Sequence, residues 1–138
     1  MILLDTNVLS ELMRTSVSQP VVDWLDHQPV SSLFISAITR AEIELGIGLL
    51  PNSKKKDQLD QAAGKMFDEF IGRCLPFEET AAIEYGRLVS RRRKAGHPIS
   101  IEDAMISAIA LTHGMSLATR NTKDFSSIDG LELINPWK

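Results

Sequence analysis

Met1-Ile2-Leu3-Leu4-Asp5-Thr6-Asn7-Val8-Leu9-Ser10-Glu11-Leu12 opens the chain and decides how the rest is read. Ile2-Leu3-Leu4 is a short apolar run of the kind that forms a buried strand, and Asp5 ends it. Thr6 or Asn7 is placed to cap a short helix running toward Leu12. A strand followed at once by a helix is the opening of an α/β unit, whose parallel strands are buried on both faces by the connecting helices. In such sheets ligands bind outside the carboxyl ends of the strands. Asp5 therefore stands where chemistry is expected.

Working outward, Pro20 fits the start of a second helix, with Val21, Val22, Trp24 and Leu25, and Gln28-Pro29 ends it. Leu33-Phe34-Ile35 reads as the second strand. Thr39 caps a helix from Arg40 to about Leu45, weakened at its end by Gly46, Gly48 and Pro51. Lys54-Lys55-Lys56 leads into a helix whose apolar positions Leu59, Ala62, Ala63, Met66, Phe67, Phe70 and Ile71 follow helical spacing and face the core. Cys74-Leu75-Pro76-Phe77 is a third strand, placed at the sheet margin by its proline. A helix from about Glu79 to Lys94 closes with Gly96 and Pro98. Ser100 opens the next, apolar on nearly every face from Ala104 to Leu111 and so sandwiched in the core, and His113-Gly114 stops it. Ser116 to Thr119 is a fourth strand, Arg120 to Asp124 a polar loop, and Leu131 to Ile134 a terminal strand. The alternation predicts one α/β domain over residues 1–138, an α/β/α sandwich with a mostly parallel sheet of four to five strands.

Composition narrows the class. The chain has 138 residues, 43% hydrophobic and 24% charged, the profile of an ordinary globular protein with one core. The most apolar stretch, Ala104 to Leu111, is about half of the roughly 20 residues that a bilayer demands, and no basic region precedes the N-terminal apolar run. No membrane association is expected, and a cytoplasmic location is the default. Cys74 is the lone cysteine, read as a small core residue; with three histidines it offers no zinc site. A net charge of −3 argues against broad electrostatic capture of nucleic acid, so a polyanion needs local patches.

Topology gathers four distant acids. Asp5 ends the first strand. Glu42 falls in the first turn of the helix after the second strand, at that same edge. Asp103 opens a helix that must run antiparallel to the strand it feeds, and a span of roughly 20 Å at about 1.5 Å per residue returns its N-terminus to the strand-exit edge. Asp124 follows the fourth strand after a short loop. Taken singly, each has an ordinary explanation: Thr39-Arg40-Ala41-Glu42 and Ser100-Ile101-Glu102-Asp103 resemble capping boxes, Asp124 a turn residue and Asp5 a strand terminator. Four together are different, because clustered carboxylates raise one another's pKa values unless a cation sits between them. The set points to a hard divalent metal and phosphate chemistry.

Leu3-Leu4-Asp5-Thr6-Asn7, Ile35-Ser36 through Glu42, Ile101-Glu102-Asp103-Ala104 and Thr119-Arg120-Asn121-Thr122-Lys123-Asp124-Phe125 resemble, in order and spacing, the signature of the PIN-domain family. Within that family the chain is similar to VapC toxins of type II toxin–antitoxin systems and to the related FitB proteins. The resemblance covers the whole chain and implies a Rossmann-like PIN fold and a ribonuclease dependent on Mg2+ or Mn2+. It implies Asp5 and Asp103 as core metal ligands, completed by Asp124 and Glu42, with Glu42 also a candidate proton acceptor. Thr6, Asn121, Ser36 and Thr119 are candidates for orienting carboxylates or phosphate. Arg40 and Arg120 stand near the acids as substrate contacts, with Arg91-Arg92-Arg93-Lys94 and Lys54-Lys55-Lys56 as basic clusters that otherwise complement a helix dipole or face solvent.

The resemblance further implies a homodimer, an RNA substrate such as tRNA, and a cognate antitoxin packed into a groove. It implies promoter DNA contacts through the antitoxin only. Leu12, Met13, Ile47, Leu49 and Leu50 are apolar residues near helix ends that suit such a groove. Two other enzyme classes fit poorly. A haloacid-dehalogenase-like phosphatase wants a second acid where Asn7 stands, and a phospho-receiver wants an acceptor Asp where this chain has Phe77-Glu78-Glu79. A FitB-like component of a DNA-binding regulatory complex, with little or no nuclease activity, is the non-enzymatic alternative.

Overall fold

A computed structural model describes residues 1–138. The elements are β1 (Ile2–Leu4), α1 (Thr6–Leu12), α2 (Gln19–Asp26), β2 (Leu33–Ser36), α3 (Ala37–Gly48), α4 (Lys54–Asp68), β3 (Cys74–Leu75), α5 (Glu79–Lys94), α6 (Ile101–His113), β4 (Ser116–Ala118), α7 (Thr122–Phe125) and β5 (Leu133–Ile134). All five strands are parallel, in the order β3-β2-β1-β4-β5. The first three grow outward from β1 on one side, and β4 and β5 on the other. The reversal falls between β1 and β4, where parallel sheets open a ligand crevice at their carboxyl ends.

Alternation along the strands sorts the core into two layers. Leu3 and Leu117, register partners across β1 and β4, face one side, where they meet Leu88 of α5, Ile106 and Ile109 of α6, Phe125 and Ile128. Leu4 and Ala118, the next pair, face the other, with Val8 and Leu9 of α1, Val21 of α2, Ile43 and Ile47 of α3 and Phe67 of α4. Leu3 and Leu4 are both 0% exposed. Burying each contributes on the order of 1.5–3 kcal/mol, which ties β1 to both layers.

α6 is the element sandwiched at the centre, as its apolar interior predicts: Ala104, Ile106, Ala108, Ile109 and Ala110 are all 0% exposed. Its one buried polar side chain, Ser107, donates to the Asp103 carbonyl at 2.8 Å. Gly114 ends it with φ of 63°, a left-handed conformation in which a Cβ is strained.

Five local expectations are corrected. Asp5 itself caps α1, its Oδ1 accepting the Thr6 N–H at 2.8 Å, in place of Thr6 or Asn7. Ser36, not Thr39, caps α3, which therefore begins three residues earlier and carries Glu42 in its second turn. Asp124 lies in the short helix α7 rather than in a loop. Cys74 is exposed, because β3 is a two-residue edge strand with too little packed over it to bury the thiol. Ile71 is exposed as well, since α4 ends at Asp68 before the stripe does.

Candidate active site

The crevice at the β1/β4 carboxyl ends is built around Asp5, which is 4% exposed. Its backbone N–H extends the sheet to the Ala118 carbonyl at 2.9 Å, so the side chain leaves the last rung of β1 directly into the crevice. Oδ2 accepts the Thr119 hydroxyl at 2.7 Å and the Asn7 amide at 3.3 Å. Thr119 in turn accepts from the Asn7 amide at 3.2 Å and the Asn121 N–H at 3.0 Å, while Asn7 Oδ1 accepts the Arg120 N–H at 3.3 Å. The loop after β4 is thereby laced to the start of α1. Burial pushes the Asp5 carboxyl up to about 6, the Thr119 and Thr6 hydrogen bonds oppose that, and the charges of Asp103 and Glu42 add to it.

Glu42 reaches the crevice from α3 and is held by a row of hydroxyls. Its Oε1 accepts the Thr6 hydroxyl at 2.7 Å. With that proton committed, Thr6 Oγ1 accepts from Thr39 at 3.0 Å, and Thr39 accepts from Ser36 at 3.3 Å. Ser36 and Thr39 are 0% exposed, so the row is a buried polar seam that satisfies itself and ends on Glu42.

Asp103 stands in the first turn of α6, whose cap Ser100 accepts the Asp103 N–H at 3.2 Å. Burial raises its pKa, the Ser100 hydroxyl opposes the rise, and Asp124, Glu42 and Glu102 add to it. The capping role and the site role thus coexist in one residue.

Asp5, Glu42 and Asp103 line one cleft of about 420 Å3, together with Thr6, Asn7, Ser10, Glu11, Arg14, Arg120, Asn121 and Trp137. Asp124 is the outlier. It is exposed and lines an adjoining depression of about 410 Å3 that shares Asp103. Arg40 does not enter the cleft: it lies 4.2 Å from the Phe67 ring centroid and pairs with Glu44 at 3.7 Å. The basic clusters are partly committed to backbone. Arg92 donates to the carbonyls of His97, Ser126 and Asp124, and Lys56 to that of Leu50.

Sequence reasoning missed Asn7, Glu11 and Trp137. Asn7 sits in the quoted opening stretch, but its bridging role depends on a loop more than a hundred residues away. Glu11 is 4% exposed on α1; it accepts the Ser18 N–H at 3.0 Å and pairs with Arg14 at 3.3 Å, which lowers its pKa. It is a structural acid at the cleft wall. Nothing local in the sequence marks Trp137, which β5 carries to the cleft.

The donor set has a definite chemical character. The three ion pairs of the molecule are Arg14–Glu11, Arg40–Glu44 and Arg87–Glu84, so none of Asp5, Glu42, Asp103 and Asp124 is ion-paired, with Arg14, Arg120 and Lys123 in the surrounding lining. Carboxylate oxygens that are not ion-paired fit a hard divalent cation. No three of them converge as a ready-made cage. A divalent ion there would be held by one or two carboxylates and complete its shell with water.

Comparison with known proteins gives the family and the fold. Residues 2–131 match the PIN domain family. The chain belongs to the PIN-domain family. This PIN domain is 42% identical to the plasmid stability protein StbB of Pseudomonas syringae pv. tomato, over 100% of this chain and 99% of that one. It is 37% identical to the VapC ribonuclease Y4jK of Sinorhizobium fredii, over 100% and 99%. It is 41% identical to the toxin FitB of Neisseria gonorrhoeae, over 99% of each chain. Among solved structures, FitAB bound to an IR36 DNA fragment superposes with a TM-score of 0.93 at 42% identity, covering 100% of this chain and 96% of that one. VapBC2 of Rickettsia felis, bound to a DNA fragment from its promoter, gives 0.81 at 27% identity, covering 98% of each. The open five-stranded parallel sheet flanked by helices is the PIN fold in this chain as in those.

Proposed function

We propose that this PIN-domain protein is a VapC-type toxin, an endoribonuclease that hydrolyses RNA phosphodiester bonds with a divalent metal and is neutralised by a cognate antitoxin. One observation carries the reading: Asp5, Glu42 and Asp103 line a single cleft and none of them is ion-paired, although Arg14 and Arg120 line the same cleft. Asp5 and Asp103 would hold Mg2+ or Mn2+, with Glu42 and Asp124 joining directly or through water. Bound there, the ion supplies positive charge to the scissile phosphate and acidity to a water.

The chain's own residues do the rest. Thr119 and the Thr6 N–H occupy both Asp5 oxygens from behind and hold the carboxylate toward the cleft. The Thr6 hydroxyl occupies Glu42 Oε1, which leaves Oε2 as the atom to take the proton of the attacking water. Arg120 and Lys123, exposed beside the acids, offset the charge of an approaching RNA backbone.

A second cleft supports the antitoxin part of the proposal. Met13, Ile43, Ile47, Leu50 and Leu59 give the apolar part of a groove of about 470 Å3 that is also lined by Arg14, Lys55, Thr6 and Glu42. A chain laid in that groove would reach the acids, which gives a direct way to block them. FitAB and VapBC structures are toxin–antitoxin assemblies on DNA, and the same arrangement is proposed here: a homodimer, an antitoxin that supplies the promoter contact, and a cytoplasmic setting. No helix is long and apolar enough to cross a membrane. A regulatory component without nuclease activity is not favoured, since all four acids are in place and the relative FitB is itself named a toxin.

The test is cleavage of RNA by purified protein with Mg2+ or Mn2+, abolished in EDTA and in Asp5→Asn and Asp103→Asn variants that keep their fold by circular dichroism. Undiminished cleavage by either variant, or in EDTA, overturns the metal mechanism. Growth arrest on expression without the antitoxin separates a toxin from a purely regulatory component.

A further inference from the structure

One wall of the acidic cleft is not acidic. Trp137 is half-buried and lines the cleft that holds Asp5, Glu42 and Asp103. It also lines an adjoining depression of about 500 Å3 that continues past Asn121, Lys123 and Asp124. The Arg120 guanidinium lies 5.1 Å from the indole centroid. Arg120 is exposed and lines a cleft with four carboxylates, Asp5, Glu11, Glu42 and Asp103, yet it pairs with none of them. Its backbone is fixed at the same time, the N–H donating to Asn7 Oδ1. The guanidinium covers the ring, and Trp137 packs against the core layer of Leu4 and Ala118, so a flat stack ending on exposed Arg120 stands at the mouth of the acidic cleft, where two depressions meet.

Indole faces and guanidinium planes are the surfaces on which unpaired bases of RNA stack, and a duplex cannot offer them a base without opening. We propose that Trp137 and Arg120 form a nucleotide subsite that stacks an unpaired base flanking the scissile phosphate. Lys123 holds the neighbouring phosphate. The inference deepens the ribonuclease reading and rests on it: the substrate segment at the acids is single-stranded, chosen by stacking rather than by base-edge hydrogen bonds.

The experiment measures binding of a short unstructured oligoribonucleotide carrying one 2-aminopurine, and of the same sequence annealed into a duplex, to Asp103→Asn protein. Trp137→Leu keeps apolar bulk but removes the stacking face, and Trp137→Phe keeps both. Stacking predicts quenching of the 2-aminopurine emission on binding, a loss of single-strand affinity of about 5- to 150-fold in Trp137→Leu, near-native affinity in Trp137→Phe, and no change for duplex. In the otherwise native protein Trp137→Leu raises KM more than it lowers kcat. If Trp137→Leu does not fold, Arg120→Gln, at an exposed position, is expected to weaken single-strand binding with the same duplex control. Unquenched emission, native affinity in a folded Trp137→Leu, or equal losses for single strand and duplex overturns the subsite. Protein that binds the oligomer through Trp137 and cleaves no RNA overturns the ribonuclease reading instead.

Discussion

Thr119 donates its hydroxyl proton to Asp5 across 2.7 Å, and this one bond joins the end of β4 to the end of β1 at the reversal point of the sheet. Both residues are buried, and Thr119 Oγ1 also accepts the Asn121 N–H and the Asn7 amide. Thr119→Val keeps the shape and removes the hub. Loss of the hydrogen bond that favours the Asp5 carboxylate raises its pKa further, so the acid limb of the cleavage profile moves to higher pH. Stability falls by about 1–3 kcal/mol because the buried Asp5 carboxyl loses its donor and the Asn7 amide loses an acceptor. Urea unfolding and a pH–rate profile check both, and a profile that does not move removes the hydroxyl from the chemistry.

Asp5 also makes stability depend on pH in an uncommon direction. Its carboxyl rises from 3.8 to about 6 on folding, so between these values the native state holds a proton that the unfolded chain has released. Native stability therefore falls as pH rises through that window, by roughly 3 kcal/mol in total, and stays reduced above it. Asn is a good helix cap and carries no charge. Asp5→Asn is expected to be more stable than the native protein at pH 8 by about 1–3 kcal/mol, with the difference closing toward pH 4. Urea melts in EDTA measure it, and a variant less stable at pH 8 contradicts the burial account.

That Asp5 and Asp103 share a cleft was legible because these two of the four placements follow from chain direction alone. A residue that ends a parallel strand and one that opens a returning helix must share an edge, and Asp5 and Asp103 do. Glu42 was placed at the correct edge for a partly wrong reason. Ser36 and Thr39 are equivalent caps three residues apart, and the choice between them depends on where β2 stops, which packing decides. Cys74 was misread because burial of an edge strand depends on what covers it. Arg40 was misread because a guanidinium with an aromatic ring and a glutamate in reach follows them rather than the acids.

The hydroxyl row Ser36–Thr39–Thr6 ends on Glu42, and Thr6 is its last member. Thr6→Val leaves Glu42 Oε1 without its donor and Thr39 without its acceptor. Groups that orient active-site side chains in this way typically matter by about 10–100-fold. Cleavage is expected to fall by that factor, mainly in kcat, while Thr6→Ser restores most of it because the hydroxyl remains. Equal kcat in the valine and serine variants would show that the row is structural only.

Arg92 tests whether the basic run at the end of α5 is a substrate surface or a brace. Its guanidinium donates to the carbonyls of His97 at 2.8 Å, Ser126 at 2.6 Å and Asp124 at 3.1 Å, so it spans from α5 to both ends of the turn that carries Asp124. Arg93 is exposed and makes none of these bonds. Were the run a phosphate surface, neutralising either residue would weaken RNA binding and flatten its salt dependence alike. As a brace, Arg92→Gln costs about 1–3 kcal/mol of stability and lowers cleavage through the displaced Asp124, with RNA affinity and its salt slope nearly native. Arg93→Gln then stays within about 0.5 kcal/mol of the native protein. Thermal unfolding and salt-dependent binding of the two variants, measured side by side, separate the two roles of adjacent arginines.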